Sequence, residues 1–239
     1  MRGTDSMGEL VLVRHGQASF FGADYDELSP VGREQARALG RHWADHGARF
    51  DSVYVGPRRR HKDTHDLVAE AFAERGLPWP EPQPLAALDE HDGVAVLKHA
   101  LGRPDAHGGA MAAEDPGEAG RERVVREFFR RYREVMRDWA SGALEVPGVE
   151  PWREFRARSL RALDAMCVGN GTAVAFTSGG LVSSAAGWLL GLDEERVIEL
   201  SAVLRNTALS EVRYSGARRT LVSFNALPHL PDPKASTAV

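Results

Sequence analysis

Three short segments of the chain combine an imidazole, guanidinium groups and glycines, and each follows a run of residues typical of a buried strand. These segments are Arg14-His15-Gly16-Gln17, Gly56-Pro57-Arg58-Arg59-Arg60 and Thr177-Ser178-Gly179-Gly180. Guanidinium forks and the backbone N–H groups that glycines leave accessible suit a phosphate, which accepts several hydrogen bonds at once. An imidazole among such donors can act as a nucleophile. The residue types therefore predict phosphoryl chemistry at His15, if the fold brings the three segments together.

Each candidate side chain also has an ordinary interpretation. Glu90 can supply the proton that an alkoxide leaving group needs, but a surface acid also fits its position. Ser178 can contact a phosphate, or it can be a small residue that merely permits the turn. His15, judged only by its place after a strand, is compatible with an ordinary loop histidine. The residue types alone leave these alternatives open.

A pair of histidines further along the chain has the spacing of a metal site. His61 and His65 are four residues apart, which places two imidazoles on one side of a helix, an arrangement that can bind zinc. No matching carboxylate or third histidine is evident nearby. We therefore expect both side chains to lie on a solvated face, and we expect no metal.

Strands and helices that alternate along the chain are expected to position the polar segments. Apolar runs predict strands over residues 9–13, 50–55, 172–176, 207–214 and 220–224. Helices are predicted over residues 30–46, 60–75, 121–140, 152–166 and 181–190. This alternation predicts a three-layer α/β/α sandwich with a mostly parallel central sheet. In such a sheet ligands bind outside the carboxyl ends of the strands, which is where the polar segments fall.

The length of 239 residues is compatible with a single α/β domain. We expect tails at residues 1–8 and 231–239, a domain over residues 9–230, and a helical cap inserted at about residues 91–150. The four prolines within residues 78–84 predict an extended connector. Residues 102–120, rich in glycine, alanine and aspartate, predict a mobile loop.

Composition argues against several classes of partner. The formal net charge is -4, so no excess of basic residues points to nucleic acid or to an anionic membrane. Residues 173–192 carry no charge, but the Thr177-Ser178-Gly179-Gly180 segment interrupts them, which favours a strand, a turn and a packed helix over a membrane span. The single cysteine and the absence of an apolar leader predict a reducing, cytoplasmic location. A monomer and a homodimer both remain open.

Several segments, in order, resemble the histidine phosphatase (phosphoglycerate-mutase-like) superfamily. Arg14-His15-Gly16-Gln17 resembles the signature tetrad, and residues 25–36 resemble the segment that follows it in the phosphatase branch. Pro57, Arg60 and Thr64 keep the family's spacing, which selects Arg60 among three consecutive arginines. The other matching segments are residues 88–93, Glu150 with Phe155 and Arg158, residues 206–211 and residues 225–230. The similarity thus covers most of residues 9–230.

The resemblance implies a phosphomonoesterase that acts on a small phosphorylated metabolite through a phosphohistidine, with no metal or organic cofactor. The implied catalytic residues are His15, Glu90, Arg14 and Arg60, and the implied phosphate-binding residues are Arg14, Gln17, Arg60, Ser178 and Gly179. Arg14 and Arg60 would neutralise the phosphoryl oxygens, and Glu90 would protonate the leaving oxygen. A phosphoglycerate-type mutase is a weaker interpretation, because residues 17–26 lack the Asn and Trp that mutases usually carry after the tetrad.

One position departs from the family pattern. Ser178 stands where the family carries a second histidine that helps to hold the phosphate and the transition state. A serine is shorter and uncharged, and its hydroxyl can donate only one hydrogen bond. We therefore expect a weakened catalyst, in which Ser178→His would raise turnover if the pocket has room for the ring. The alternative is a non-catalytic protein that binds a phosphorylated ligand.

Overall fold

The computed structural model describes residues 7–19, 26–102, 117–232 and 235–237. Its strands are β1 (Gly8–Arg14), β2 (Ser52–Val55), β3 (Pro82–Pro84), β4 (Thr172–Thr177), β5 (Leu209–Ser215) and β6 (Arg218–Ala226). Its α-helices are α1 (Pro30–Asp45), α2 (Arg59–Ala73), α3 (Gly93–Leu101), α4 (Gly117–Ser141), α5 (Trp152–Met166), α6 (Gly179–Leu190) and α7 (Glu194–Val203), and a 3-10 turn spans Ala86–Leu88.

The strands form a six-stranded sheet in the order β3-β2-β4-β1-β5-β6. The pairs β1–β4, β2–β4 and β2–β3 are parallel, whereas β5 and β6 join as antiparallel strands at one edge. The sequence prediction of a mostly parallel central sheet is therefore confirmed.

Alternate side chains of β1 bury themselves in two different helical layers. Leu10 and Leu12 pack with residues of α5 and α6, whereas Val11 and Val13 pack with residues of α1 and α2. Such alternation follows from the two-residue period of a strand, and a strand covered on both faces reads as one continuous apolar run. The fold is thus the predicted three-layer α/β/α sandwich.

The helices between β3 and β4 have a small apolar core of their own. Met136 and Trp139 of α4 pack with Val96 of α3, and the same cluster contains residues of α5 and α7. Both α3 and α4 lie within the segment expected to form a cap, and they pack against α5 and α7.

Two predictions about connecting segments need correction. The proline-rich connector contains the short edge strand β3, which pairs with β2. The predicted loop at residues 102–120 lies mostly outside the described residues, but α4 already begins at Gly117, before that loop was expected to end. The uncharged stretch forms β4 and α6 as expected, and no helix in the described part of the chain is long and apolar enough to cross a membrane.

Candidate active site

The three polar segments meet because the strands that precede them are neighbours in the sheet. Arg14 is paired with Thr177 at the ends of β1 and β4, and Val55 is paired with Phe176 at the ends of β2 and β4. Beyond these pairs, the His15 N–H donates to the Thr177 carbonyl at 2.9 Å. The carboxyl edge of the sheet therefore carries His15, the start of α2 and the start of α6 side by side.

The imidazole of His15 is held between two partners that fix its orientation. Its Nδ1 lies 2.7 Å from the Gly16 carbonyl oxygen, and the Nε of Arg60 donates to its Nε2 at 3.1 Å. Because a guanidinium can only donate, Nε2 accepts, and the ring proton resides on Nδ1. Burial, followed by the charges of Arg60 and Arg14, holds the pKa of His15 well below its ordinary value. His15 is therefore a neutral imidazole whose Nε2 lone pair faces a guanidinium.

The loop that carries His15 is anchored on both sides. Thr64 of α2 accepts a hydrogen bond from the Gly16 N–H at 3.0 Å, and the Asn206 side chain donates to the His15 carbonyl at 3.3 Å. Gly16 lies so close to α1 that a Cβ built there would be 2.4 Å from the Gly32 carbonyl oxygen. A glycine is required at this position because the backbone of α1 packs directly against the loop.

The consecutive arginines at the start of α2 occupy different environments. Arg60 is only 4% exposed and pairs with Asp26 at 3.0 Å, in addition to its contact with His15. Arg58 pairs with Asp89 at 2.5 Å, and Arg59 is half exposed and pairs with Glu27. The structure thus brings Arg60 to His15 and directs Arg58 to the segment that carries Glu90.

Arg14 and Gly179 lie close to each other. The Arg14 guanidinium donates to the Leu204 carbonyl, and a Cβ built on Gly179 would lie 3.5 Å from the Arg14 Nε. Gly179 is the first residue of α6, and the positive end of the helix dipole favours an anion there.

Glu90 is held as a carboxylate beside the start of α6. Its Oε2 accepts from the Gly180 N–H at 3.0 Å, and its Oε1 accepts from the His91 N–H at 3.0 Å. Burial by itself raises the pKa of Glu90, but His91, the Gly180 N–H and Arg60 together bring that pKa below its ordinary value. A phosphate dianion beside Glu90 would raise its pKa again, because a nearby like charge disfavours the ionised form.

An ion pair between Arg158 of α5 and Glu150, just before that helix, holds the segment that carries Glu90. Arg158 donates to the carbonyls of Ala87 and Asp89 at 2.9 and 3.0 Å, and its guanidinium pairs with Glu150 at 2.7 Å. Arg158 and Glu150, both matched in the sequence analysis, therefore hold the backbone just before Glu90 in place.

Gln17 is directed toward α1. Its backbone N–H donates to Gln35 at 3.0 Å, and its side-chain oxygen accepts from the Ser29 hydroxyl at 2.9 Å. Ser29 is the N-cap of α1 and accepts from the Gly32 N–H. The contacts of the Gln17 side-chain oxygen are thus with the helix that supports the loop.

The expectation that His61 and His65 lie on a solvated face is wrong. His61 is 0% exposed, and His65 is also buried. Residues 61, 64, 65, 68, 71 and 72 are all buried in α2, and this is the period of one helix face. That period was the signal in the sequence that marks both histidines as internal. No group of three or more His, Cys, Asp or Glu side chains among the described residues is arranged to hold a metal ion.

His61 contacts Ser178. Its Nε2 lies 2.5 Å from the Ser178 Oγ, and its ring centroid lies 5.7 Å from that of His15. Ser178 is 0% exposed, and although it is the N-cap residue of α6, its side chain makes no capping hydrogen bond. The sequence prediction did not assign His61 to the site.

Comparison with known proteins places the whole domain in one family. A family model described as the histidine phosphatase superfamily (branch 1) matches residues 10–98 and 118–227. The chain is also 36% identical, over 91 residues, to the 2,3-bisphosphoglycerate-dependent phosphoglycerate mutase of Rhizobium meliloti (strain 1021). That match spans 36% of this chain and 42% of the length of the relative.

Two solved structures share the fold at low sequence identity. A phosphoglycerate mutase from Bacillus anthracis superposes with a TM-score of 0.62 at 18% identity, covering 96% of this chain and 98% of that one. Phosphoserine phosphatase from Entamoeba histolytica, in complex with 3-phosphoglyceric acid, superposes with a TM-score of 0.62 at 18% identity, covering 93% of this chain and 99% of that one. The fold is therefore shared by a mutase and by a phosphatase.

Proposed function

The chain belongs to the histidine phosphatase superfamily, and from that premise we propose that it is a phosphomonoesterase that works through a phosphohistidine at His15. The observation that carries the proposal is the 3.1 Å hydrogen bond from Arg60 Nε to His15 Nε2. It combines a neutral nucleophilic nitrogen with a buried cation at the point where a phosphoryl group would bind. The substrate is a small phosphorylated metabolite.

The reaction follows from the partners of each group. The phosphoryl oxygens accept hydrogen bonds from the N–H groups of Arg60 and Arg14. The Nε2 lone pair of His15 is then no longer occupied by Arg60. Nε2 then attacks phosphorus, the ester P–O bond breaks, and Glu90, protonated beside the dianion, gives its proton to the leaving oxygen. Water attacks the phosphohistidine with Glu90 as the base, which releases phosphate and restores neutral His15. Stabilisation of the equatorial oxygens by fixed donors supplies most of the acceleration in such transfers.

A mutase is the second candidate, because the Rhizobium meliloti relative described above is a phosphoglycerate mutase. A mutase would return the phosphoryl group from His15 to another hydroxyl of the substrate, whereas a phosphatase passes it to water. Phosphorus NMR of 2,3-bisphosphoglycerate and 3-phosphoglycerate with the protein separates the two, since free phosphate accumulates only in hydrolysis.

Hydrolysis of p-nitrophenyl phosphate tests the proposal directly. We expect wild-type protein to release nitrophenolate and His15→Ala to lose that activity, and rapid quenching should trap an acid-labile, alkali-stable phosphoprotein in the wild type alone. His46→Ala, a change at an exposed histidine on the C-terminal side of α1, serves as the control and should keep full activity. Wild-type rates in the His15→Ala variant would rule out the phosphohistidine. A structure with bound phosphate should place the anion about 3 Å from Arg14, His15 and Arg60.

A further inference from the structure

His61 and Ser178 form a buried polar pair beside the nucleophile. The Nε2 of His61 and the Oγ of Ser178 are 2.5 Å apart, and both residues are 0% exposed. Burial, together with the charges of Arg60 and Arg58, holds the pKa of His61 well below its ordinary value, so the ring is neutral. A buried imidazole is unfavourable unless it is hydrogen-bonded, and the Ser178 hydroxyl is the partner of the His61 Nε2.

The other buried histidine of α2 has an ordinary structural environment. His65 accepts a hydrogen bond from the Trp79 Nε1 at 3.0 Å, pairs with Asp66, and packs edge-on against Phe176. Its surroundings belong to the core on one side of the sheet. His61, one turn closer to the start of the helix, points instead at the carboxyl edge of β4.

The position of the pair relative to the proposed machinery is specific. Thr177, directly before Ser178, accepts from the His15 N–H, and Gly180, two residues after it, donates to Glu90. His61 directly follows Arg60, and its ring lies 5.7 Å from that of His15. A Cβ at Gly56 would lie 2.3 Å from the His61 Nδ1, so a glycine at the end of β2 leaves the space that the ring fills.

We propose that His61 and Ser178 act together in place of the imidazole that the family carries after this strand, an inference that rests on the proposed phosphatase function. In this arrangement the Nε2–H of neutral His61 donates to the Ser178 Oγ, and the Ser178 hydroxyl donates its own proton to a phosphoryl oxygen. Ser178 is then the residue that touches the substrate, and His61 is a positioning residue that orients and polarises the hydroxyl. Hydrogen bonds in such a chain strengthen one another in a buried setting.

This arrangement changes the expectation for Ser178→His. With His61 in place, its ring lies against the Ser178 side chain at 2.5 Å and fills the space that a second ring would need. The single replacement is therefore expected to lower turnover, and the gain expected from the sequence should appear only when His61 is shortened to alanine.

A double-mutant cycle on p-nitrophenyl phosphate tests the pair. We expect His61→Ala and Ser178→Ala each to lower kcat about a hundredfold with a much smaller change in KM, as is typical for the loss of one donor to the transition state. The double variant should be no worse than either single variant, because the two residues act as one unit. His61→Gln, which keeps a donor in the same space, should retain more activity than His61→Ala, and the exchange variant His61→Ala/Ser178→His should recover at least tenfold over His61→Ala.

The matched control is His65→Ala, which removes a buried histidine from the same face of α2 without touching Ser178. We expect it to lower thermal stability and to leave kcat within about twofold of the wild type. Wild-type kcat in His61→Ala, or losses that multiply in the double variant, would overturn the proposal.

Binding of orthovanadate separates a failure of this inference from a failure of the proposed function. If the wild type hydrolyses no phosphate ester, the proposed function fails, but the pair is still tested by vanadate affinity. A weaker affinity by the same factor in His61→Ala, in Ser178→Ala and in the double variant upholds the pair. Equal affinity of the wild type and His61→Ala overturns it, as does a wild type that binds no vanadate.

Discussion

At the scale of single residues, the guanidinium of Arg60 has two tasks in the proposed cycle. Its Nε–H fixes the lone pair of His15 at Nε2, and its terminal nitrogen pairs with Asp26. When a phosphoryl group binds, the same N–H groups can donate to phosphoryl oxygens instead, and the positive charge of Arg60 remains beside His15. A lysine has the charge but lacks the planar fork, so it cannot hold both partners in this geometry.

Arg60→Lys is therefore expected to lower kcat/KM for p-nitrophenyl phosphate by a hundredfold or more, or about 3 kcal/mol of transition-state stabilisation. The control is Arg59→Lys at the neighbouring half-exposed arginine, which should stay within about twofold of wild type. Steady-state rates of the two variants and wild type are the measurement. Comparable losses in both variants would mean that general charge at the start of α2 matters and the contact with His15 does not.

The role proposed for Glu90 predicts a dependence on the leaving group. Glu90→Gln should slow hydrolysis of an alkyl phosphate by at least a hundredfold, because an alkoxide needs a proton to depart. The loss on p-nitrophenyl phosphate should be far smaller, because nitrophenolate leaves without one. Glu81→Gln removes an exposed acid from the preceding connector and should affect neither substrate. Equal losses on both substrates in Glu90→Gln would contradict the role of general acid.

The sequence predicts some of these residues better than others, for a physical reason. His15 and Arg60 lie in short motifs whose spacing is a property of the local chain, so their meeting follows once β1 and β2 are placed in one sheet. The contact between His61 and Ser178 joins residues 117 positions apart, and neither residue type predicts it. The burial of His61 could have been read from the helical period of α2, but its partner depends on how α2 packs over the end of β4.

At the scale of elements, the strong apolar runs were predicted and the weak ones were missed. β1 and β4 are buried on both faces, and a continuous apolar run in the sequence predicts such strands. β3 was read as an extended connector because prolines lack the N–H that a ladder uses, yet an edge strand tolerates them on its outer side. α7 was not predicted because few of its residues face the core; Val197 and Ile198 are its buried ones. Its start is nevertheless marked by Asp193, which caps it through the Arg196 N–H.

The first turn of α6 couples the helix to the acid. Glu90 accepts from the Gly180 N–H, and a Cβ at Gly180 would lie 2.2 Å from the Glu90 Oε1 and 2.7 Å from the His91 ring. Gly180→Ala should therefore displace Glu90 and lower kcat for an alkyl phosphate by tenfold or more. Ala185→Gly, a buried change further along α6, is expected to cost about 1 kcal/mol of stability and to leave kcat unchanged. Unfolding midpoints and kcat measured on both variants separate the two effects, and an unchanged kcat in Gly180→Ala would show that the acid does not depend on this turn.

At the scale of the whole molecule, several histidines are buried as neutral rings in different parts of the fold. Burial is the largest cause that lowers the pKa of His15, His61, His65 and His229, and for His229 burial and the nearby His42 together bring the pKa to about 4. In the unfolded chain these groups return to the ordinary histidine pKa of about 6.5. Between the folded and unfolded values, the unfolded chain binds more protons than the folded one.

The free energy of unfolding is therefore expected to fall as the pH drops below about 6.5, in the direction that proton linkage requires. A histidine that stays neutral in the fold down to pH 5 contributes roughly 2 kcal/mol of this loss. His229 alone, with its pKa of about 4, therefore removes a sizeable share of the stability of an ordinary domain, and His15, His61 and His65 add losses in the same direction. Glu90 and Asp66 have lowered pKa values and contribute only near and below their own ordinary values, at more acid pH.

Urea unfolding at pH 7, 6 and 5 measures the loss. His229→Gln can keep the hydrogen bond to Thr207, and it should make the loss of unfolding free energy between pH 7 and pH 5 smaller by roughly 2 kcal/mol. A stability that is flat from pH 7 to pH 5, or a His229→Gln slope equal to that of wild type, would show that these rings are protonated in the folded protein.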